Sequence, residues 1–230
     1  MSHHQTTRET VFTAQVGAER GKSTMKIYIL GGSGSGKTTL AEDISVKFHV
    51  PHYELDQIGL KNGKVTEDDA FAIAGQPGWI TDGSYLIWTD PLLYQADYIV
   101  LLEVSWPVAA WRMIRRHITK SLHGTNPYPG LNGVKLLFKL LKDNRKHYLN
   151  QINAGTPLEE CMREYLAEQR ESADPPTPEF VRKEVEKYLM LSIPPTAEFL
   201  RNSLEKYQEK VFVVKNKADR ERLLERLAKR

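Results

Sequence analysis

The sequence lacks several features that define broad classes of protein. It has a single cysteine, Cys161, so an internal disulfide and a metal site built on paired cysteines are excluded. Its longest apolar run, at residues 98–104, includes Glu103 and is far shorter than the roughly 20 residues that a membrane-spanning helix needs. Residues 1–24 hold no apolar stretch of the kind that a secretory signal requires. These absences favour a cytoplasmic protein with no membrane partner.

Composition and charge describe an ordinary globular chain in which the charge is unevenly distributed. Of the 230 residues, 40% are hydrophobic and 27% are charged, which excludes disordered and fibrous proteins and allows one sizeable core. The formal net charge is only +3, yet residues 107–150 contain nine Arg or Lys and one acidic residue, and residues 155–200 contain ten acidic and five basic residues. The basic segment suggests an anionic ligand, although a solvated helix face would give the same pattern.

Short apolar strands alternate with amphipathic helices along the chain. Strands are predicted at residues 26–30, 52–55, 79–81, 96–103 and 211–214. The alternation predicts an α/β fold with a mostly parallel sheet, in which residues 1–24 form a flexible extension and residues 25–230 form the domain. A basic region at about residues 112–150 is predicted to contain a helix at about 134–152. The acidic helical segment, about residues 155–205, is predicted to be an insertion before the last strand and helix.

The segment between the first strand and the first helix carries the most specific motif of the sequence. It matches G-x-x-x-x-G-K-[ST], the P-loop, at every specified position. The backbone N–H groups of such a loop surround phosphate oxygens, and the following helix directs its positive end at them. Lys37 would reach the β- and γ-phosphates, and the Thr38 hydroxyl would ligate magnesium. The sequence therefore predicts a P-loop NTPase three-layer sandwich that binds ATP and Mg²⁺ through Gly31, Gly32, Ser33, Gly34, Ser35, Gly36, Lys37, Thr38 and Thr39.

Two other classes of nucleotide-binding protein are weighed against this interpretation. A dinucleotide-binding fold is disfavoured because the glycines do not have G-x-G-x-x-G spacing. Residues 216–219, Asn-Lys-Ala-Asp, match the base-reading motif of GTPases and follow a strand. Their place at the extreme C-terminal end, with Asn216 and Asp219 at capping-box spacing, favours a helix cap instead.

Two carboxylates follow predicted strands and are candidate catalytic residues. Asp82 comes directly after the third strand, where it would face the P-loop and hold magnesium directly or through water; Asp82-Gly83 is also a good turn dipeptide. Asp56 follows the second strand and could meet the acceptor hydroxyl as a base or positioning group, or cap a helix. Trp79, Tyr85 and Trp88 flank Asp82 and could stack on a flat acceptor, although Trp79 is better suited to the core.

These motifs together resemble the adenylate kinase and shikimate kinase group of small P-loop kinases. The closest similarity is to bacterial adenylate-kinase-like proteins labelled DNA topology modulation proteins, through KIYILGGSGSGKTTLA at the first strand, HYELDQI at 52–58 and WITDGSYLIW at 79–88. It covers about residues 25–150 and the last 20, and leaves the acidic segment unmatched. The resemblance implies that Arg112 and Arg116 belong to a lid and contact adenine or the transferring phosphoryl group; surface positions on an amphipathic helix are the alternative.

The chain departs from this family pattern on the acceptor side. Adenylate kinases follow the Asp-Gly pair with Phe-Pro-Arg, whereas this chain has Ser84-Tyr85-Leu86, and it has no arginine between Arg20 and Arg112. Kinases of this group use arginines of that region to hold the phosphate or carboxylate of the acceptor. An acceptor that is uncharged near its hydroxyl, or is held by Lys61, Lys64 or the basic region, therefore fits better.

The sequence accordingly predicts an ATP- and magnesium-dependent kinase of an unidentified small molecule. Its predicted catalytic residues are Lys37, Asp82, Asp56, Arg112 and Arg116, and its predicted metal ligands are Thr38 and Asp82. The alternative is a nucleotide-binding regulator with low turnover that binds nucleic acid through residues 107–150, although no helix-turn-helix or zinc-finger spacing is present.

Overall fold

Five short strands rich in branched and aromatic residues form one parallel sheet. The structure is a computed structural model that describes residues 24–62, 67–126, 130–171 and 175–229. The strands are β1 (Lys26–Gly31), β2 (His52–Glu54), β3 (Trp79–Gly83), β4 (Tyr98–Leu102) and β5 (Val211–Val214). Their order is β2-β3-β1-β4-β5, and every pairing within the described ranges is parallel. The carboxyl ends of β1 and β3 therefore lie side by side.

The helices that connect the strands include two that the sequence pattern does not predict, α2 and α4. Because α2 begins directly after β2, Asp56 lies in the first turn of a helix. The helix predicted at residues 134–152 begins and ends earlier, at Gly130 and Tyr148. The described α-helices are α1 (Lys37–Phe48), α2 (Leu55–Asn62), α3 (Glu67–Ala74), α4 (Asp90–Gln95), α5 (Trp106–Leu122), α6 (Gly130–Tyr148), α7 (Pro157–Glu171), α8 (Pro178–Lys187), α9 (Ala197–Ser203) and α10 (Lys217–Ala228).

Helices cover both faces of the sheet because alternate strand residues are buried on opposite sides. Ile27 and Ile29 of β1 pack with apolar residues of α1 and α10. Tyr28 and Leu30 pack on the other face, with residues of α3, α4 and α9. The result is a three-layer α/β sandwich around a parallel sheet, as the sequence predicts. The predicted extension, residues 1–24, lies outside the described residues except for Thr24.

The acidic segment contributes aromatic residues to this core. Tyr165 of α7, Tyr188 after α8 and Phe199 of α9 are each 3% exposed or less. The ring centroid of Tyr165 lies 5.2 Å from that of Tyr188 and 5.8 Å from that of Phe199. The hydroxyl of Tyr207, which follows α9, donates a 2.9 Å hydrogen bond to the buried carboxylate of Asp90 in α4. Most of the described acidic residues of this segment are exposed, while its aromatic residues belong to the same core as Tyr28 and Leu30 of β1.

Helices α5 and α6 form an antiparallel pair, here called the basic hairpin, whose outer surface is largely open. The side chains of Trp111 and Phe138 are 62% and 68% exposed, and most of the Arg and Lys residues of the hairpin are exposed as well. None of the helices in the described part of the chain combines the length and the hydropathy that a membrane span needs.

Replacing Phe199 by alanine tests whether the acidic segment stabilises the whole domain. Because Phe199 is 1% exposed, Phe199→Ala should lower the free energy of unfolding by about 3–5 kcal/mol, in a single transition. The matched control, Phe138→Ala, removes the same side chain from an exposed site and should change stability by about 0.5 kcal/mol or less. Urea unfolding followed by circular dichroism measures both. Equal effects of the two substitutions, or a separate transition for the segment, would contradict this account.

Candidate functional site

The P-loop turns tightly between the carboxyl end of β1 and the first turn of α1. Gly34 and Gly36 have φ angles of 81° and 99°, a region that side-chain-bearing residues rarely adopt. A Cβ atom on Gly34 would also lie 2.6 Å from the carbonyl oxygen of Ala109 in α5. Gly36 caps α1 without a side-chain hydrogen bond, so the N–H groups of the first turn are left to a ligand. This geometry is that of a cradle for phosphate oxygens.

Both helices of the basic hairpin hold the P-loop from outside. Arg112 of α5 donates a 2.6 Å hydrogen bond from Nη1 to the carbonyl oxygen of Ser35. Tyr148, at the end of α6, donates from its hydroxyl to the carbonyl oxygen of Ser33 at 3.0 Å, and its ring covers Gly32 so closely that a Cβ there would lie 2.8 Å from it. These contacts fix the loop before any ligand binds, which lowers the entropy cost of binding.

Lys37 reaches back over the P-loop from the start of α1. Its Nζ donates to the carbonyl oxygen of Gly32 at 3.3 Å. Burial lowers the pKa of Lys37 below the ordinary value for lysine, the carboxylates of Asp82 and Asp56 raise it in part, and the cation of Arg116 lowers it further. The predicted catalytic groups Asp56, Asp82 and Arg116 therefore all lie within electrostatic reach of the Lys37 ammonium.

Asp82 lies at the carboxyl end of β3 and is held by two hydrogen bonds. Its side chain is buried, its Oδ2 accepts a 2.8 Å hydrogen bond from the Thr38 hydroxyl, and its Oδ1 lies 2.6 Å from Nε2 of His52. Because an ionised carboxylate only accepts, Nε2 of His52 carries the proton. The register of β1 with β3 places Asp82 opposite Ile29, close to the P-loop.

The oxygen atoms of Thr38 and Asp82 fit a magnesium site. Mg²⁺ prefers oxygen ligands and commonly takes one or two from the protein, with substrate phosphates and waters completing the shell. The two side chains lie 2.8 Å apart beside the P-loop, where phosphate oxygens would lie. The donor set therefore fits Mg²⁺, and Thr38 and Asp82 as its ligands remain a prediction.

His52 is a residue of the site that the sequence does not reveal. It precedes Glu54 by two residues on β2, so both side chains lie on the face of the sheet to which Asp82 belongs. Its side chain is 15% exposed. The sequence offers one clue to this residue, its position on a predicted strand with side chains that alternate between the two faces of the sheet. That pattern assigns His52 to a face but does not identify its partner. The pairing of β2 with β3 supplies the partner.

Asp56, in the first turn of α2, lies close enough to Lys37 to raise its pKa. Its Oδ1 accepts a 2.7 Å hydrogen bond from the hydroxyl of Tyr85, whose ring centroid lies 5.2 Å from that of Trp88. Burial and the hydrogen bond to Asp56 raise the pKa of Tyr85, so the phenol remains a donor. Trp79 is buried in the core, as the sequence favours. Trp88 is buried as well and is not available to stack on an acceptor, so the stacking prediction is wrong for Trp88.

The two arginines of α5 lie on the P-loop side of the site. Arg112 contacts the carbonyl oxygens of Ser35 and Gly34, and Arg116, one helical turn later, lies near enough to Lys37 to lower its pKa. Both arginines therefore lie beside the P-loop, and their role as lid arginines that contact a phosphoryl group remains a prediction.

A cavity of about 390 Å³ adjoins the P-loop on the side of β4 and α9. Its walls include Gly31, Gly32 and Tyr148, together with Glu103 and Arg201. Arg201 donates to the carboxylate of Glu103, so its charge is already compensated. The cavity therefore adjoins the P-loop, and the arginine in its walls is already paired with a carboxylate.

Residues 216–219 form a helix cap, as the sequence favours. The Asn216 side chain accepts from the backbone N–H of Asp219, and the Asp219 carboxylate accepts from the backbone N–H of Asn216. Both side chains accept backbone hydrogen bonds in this capping box and are not free to read a base. The residues therefore do not serve as the base-reading motif of a GTPase.

Comparison with known proteins finds similar folds among solved structures. No protein-family model matches the chain, and no curated protein matches it. A gluconokinase from Sinorhizobium meliloti is similar at 20% identity over 56% of this chain and 96% of that one, with a TM-score of 0.32. The shikimate kinase from Acinetobacter baumannii, in complex with shikimate, is 15% identical over 66% and 97%, with a TM-score of 0.36. The shikimate kinase from Aquifex aeolicus is 18% identical over 64% and 97%, with a TM-score of 0.32.

The hydrogen bond from His52 to Asp82 predicts a role in metal binding. In His52→Leu the carboxylate loses a donor that orients it, so the Mg²⁺ concentration for half-maximal ATP binding should rise by about tenfold or more. His52→Gln retains an N–H donor and should restore much of the affinity. Magnesium titrations at fixed ATP, followed by calorimetry, measure the effect. Equal magnesium requirements in the wild type and His52→Leu would show that this contact is only structural.

The lowered pKa of Lys37 predicts weaker binding of ATP at alkaline pH. An ordinary lysine remains charged up to a pH of about 10. Lys37 in the free protein loses its proton at a lower pH, so ATP must restore that proton, and its affinity should fall by up to about tenfold per pH unit above the lowered pKa. In Lys37→Arg the charge persists, so this loss should be absent. Calorimetry between pH 7 and 10 measures the affinity and the proton uptake. An affinity of the wild type that does not change with pH would contradict the prediction.

Proposed function

We propose that this protein transfers a phosphoryl group from ATP to a hydroxyl group of a small molecule, with Mg²⁺ as cofactor. The observation that carries the proposal is the meeting of three groups at the end of β1 and β3. The P-loop, the Lys37 ammonium and the Thr38–Asp82 pair adjoin one another, and Asp56 is a second carboxylate within electrostatic reach of Lys37. A P-loop used only for binding does not require a second carboxylate near its lysine.

The phosphate side of the site is built to stabilise negative charge. The backbone N–H groups of the P-loop and Lys37 would bind the β- and γ-phosphates, and Arg112 and Arg116 would approach from α5. Mg²⁺, held by Thr38 and Asp82, would neutralise the charge of the phosphates. To reach a phosphate, Arg112 has to exchange its hydrogen bond with the P-loop carbonyl of Ser35 for one with the ligand.

The acceptor side of the site would position the attacking hydroxyl. The Asp56 carboxylate accepts one hydrogen bond from Tyr85 at one oxygen, and the second oxygen can accept another from an acceptor hydroxyl. Because Tyr85 fixes the carboxylate, Asp56 can orient the hydroxyl and receive its proton. The sequence also predicts that Lys61 or Lys64 could hold the acceptor. Lys64 lies outside the described residues, and only the backbone of Lys61 is described.

The proposal predicts ADP release that depends on an acceptor and on Lys37. In Lys37→Ala, acceptor-dependent ADP release should fall by about 100-fold or more because charge stabilisation in the transition state is lost. Lys47→Ala removes an exposed lysine from the last turn of the same helix and serves as the matched control. A coupled assay with nucleosides, nucleotides and small hydroxy compounds measures the turnover.

Two outcomes would contradict this function. Equal turnover in Lys37→Ala and the wild type would remove the P-loop from the reaction. Tight ATP binding without turnover on any acceptor would favour the second candidate, a nucleotide-binding regulator. That candidate is supported by the basic hairpin, whose exposed lysines and exposed Trp111 and Phe138 suit a nucleic acid backbone and its bases. The resemblance to DNA topology modulation proteins points in the same direction and remains a prediction.

A further inference from the structure

The acceptor side of the site is lined by carboxylates of two neighbouring strands and the helix that follows. Glu54 is the register partner of Asp82 in the pairing of β2 with β3, so the two side chains lie on the same face. Asp56 follows two residues later, in the first turn of α2. All three carboxylates raise the pKa of the Lys37 ammonium, which places them around one point beside the P-loop. The P-loop defines the site, and the carboxylates set the charge of its acceptor side.

Two of these carboxylates have neutral partners. Asp56 accepts from the Tyr85 phenol, and Glu54 accepts from the side-chain amide of Gln57. Asp82 is hydrogen-bonded to Thr38 and His52, and its charge would be used on magnesium. A phenol and an amide carry no positive charge, so neither hydrogen bond compensates the charge of its carboxylate.

Among the residues that the structure describes, the cations of the site lie on its P-loop side, and Lys37 is the one that the three carboxylates reach. Lys37 and the arginines of α5 adjoin the P-loop, where the phosphates of ATP would take up their charge. The sequence supplies no arginine between Arg20 and Arg112, the stretch that contains β2, β3 and the helices next to them. A carboxylate or phosphate on the acceptor would therefore lie near like charges, which disfavours binding.

From this division of charge we infer that the acceptor is a hydroxylated compound without an anionic group, and that a protonated amine on it improves binding. The inference rests on the proposed function. Asp56 receives the reacting hydroxyl, and Glu54 lies close enough to pair with an ammonium group of the same molecule. The hydroxyl oxygen forms a bond to the γ-phosphorus of ATP, the bond from that phosphorus to the β,γ-bridging oxygen breaks to release ADP, and the hydroxyl proton passes to Asp56.

The test uses acceptors that share one carbon skeleton and differ in charge. One set is D-gluconate, D-glucose and D-glucosamine; further sets pair a hydroxy acid, a diol and an amino alcohol of equal length. In each set with measurable turnover, kcat/KM should rise from the acid to the neutral compound to the amine, and the two extremes should differ by about tenfold or more. Glu54→Gln, which removes one charge at nearly constant shape, should reduce the ratio of amine to acid several-fold.

The controls separate this inference from the proposed function. Glu221→Gln neutralises an exposed carboxylate of α10 and should leave the ratio of amine to acid unchanged. A preference for the acidic member would overturn the inference alone, and loss of that preference in Lys61→Ala or Lys64→Ala would identify the cation responsible. No turnover with any acceptor, together with normal binding of ATP, would overturn the proposed function and the inference with it.

Discussion

The hydrogen bond between Thr38 and Asp82 is the contact on which the rest of the site depends. It joins the first turn of α1 to the end of β3, and it forms because β1 and β3 are neighbours in a parallel sheet. Parallel neighbours bring their carboxyl ends to the same edge, so a phosphate-binding turn after one strand meets a carboxylate at the end of the next. His52, on the third strand in that row, then finds Asp82 within hydrogen-bonding distance.

Both the sheet and the basic hairpin determine the shape of the P-loop. The loop leaves β1 in a fixed direction, but its outer side is held by Arg112 and Tyr148, which lie on different helices. A glycine-rich loop has the freedom to adopt the tight turn, and that same freedom costs entropy when a ligand orders it. Contacts from both helices remove part of that cost in advance. The hairpin therefore connects the phosphate site with a large exposed surface.

Charge is divided within the site as well as along the chain. Basic groups of α1 and α5 surround the P-loop, whereas Glu54 and Asp56 lie on the side of β2 and α2. The acidic helices α7 and α8 form ion pairs at their surface, for example Glu168 of α7 with Lys187 of α8, and Arg182 of α8 with Glu67 of α3. Helix α7 packs against α9 and α8 against α3, so the acidic composition of this segment reflects a solvated outer surface over a shared core.

The sequence by itself determined the features that local patterns encode: the P-loop with Lys37 and Thr38, the five strands, and the cap at Asn216. Each depends on residues a few positions apart, which the chain places together in any fold. It did not determine α2 and α4, whose short patterns carry little periodicity. The tertiary structure alone decided that His52 binds Asp82, 30 residues away, and that Tyr148 covers a loop 115 residues before it. Those contacts follow from strand order and helix packing, which no local spacing specifies.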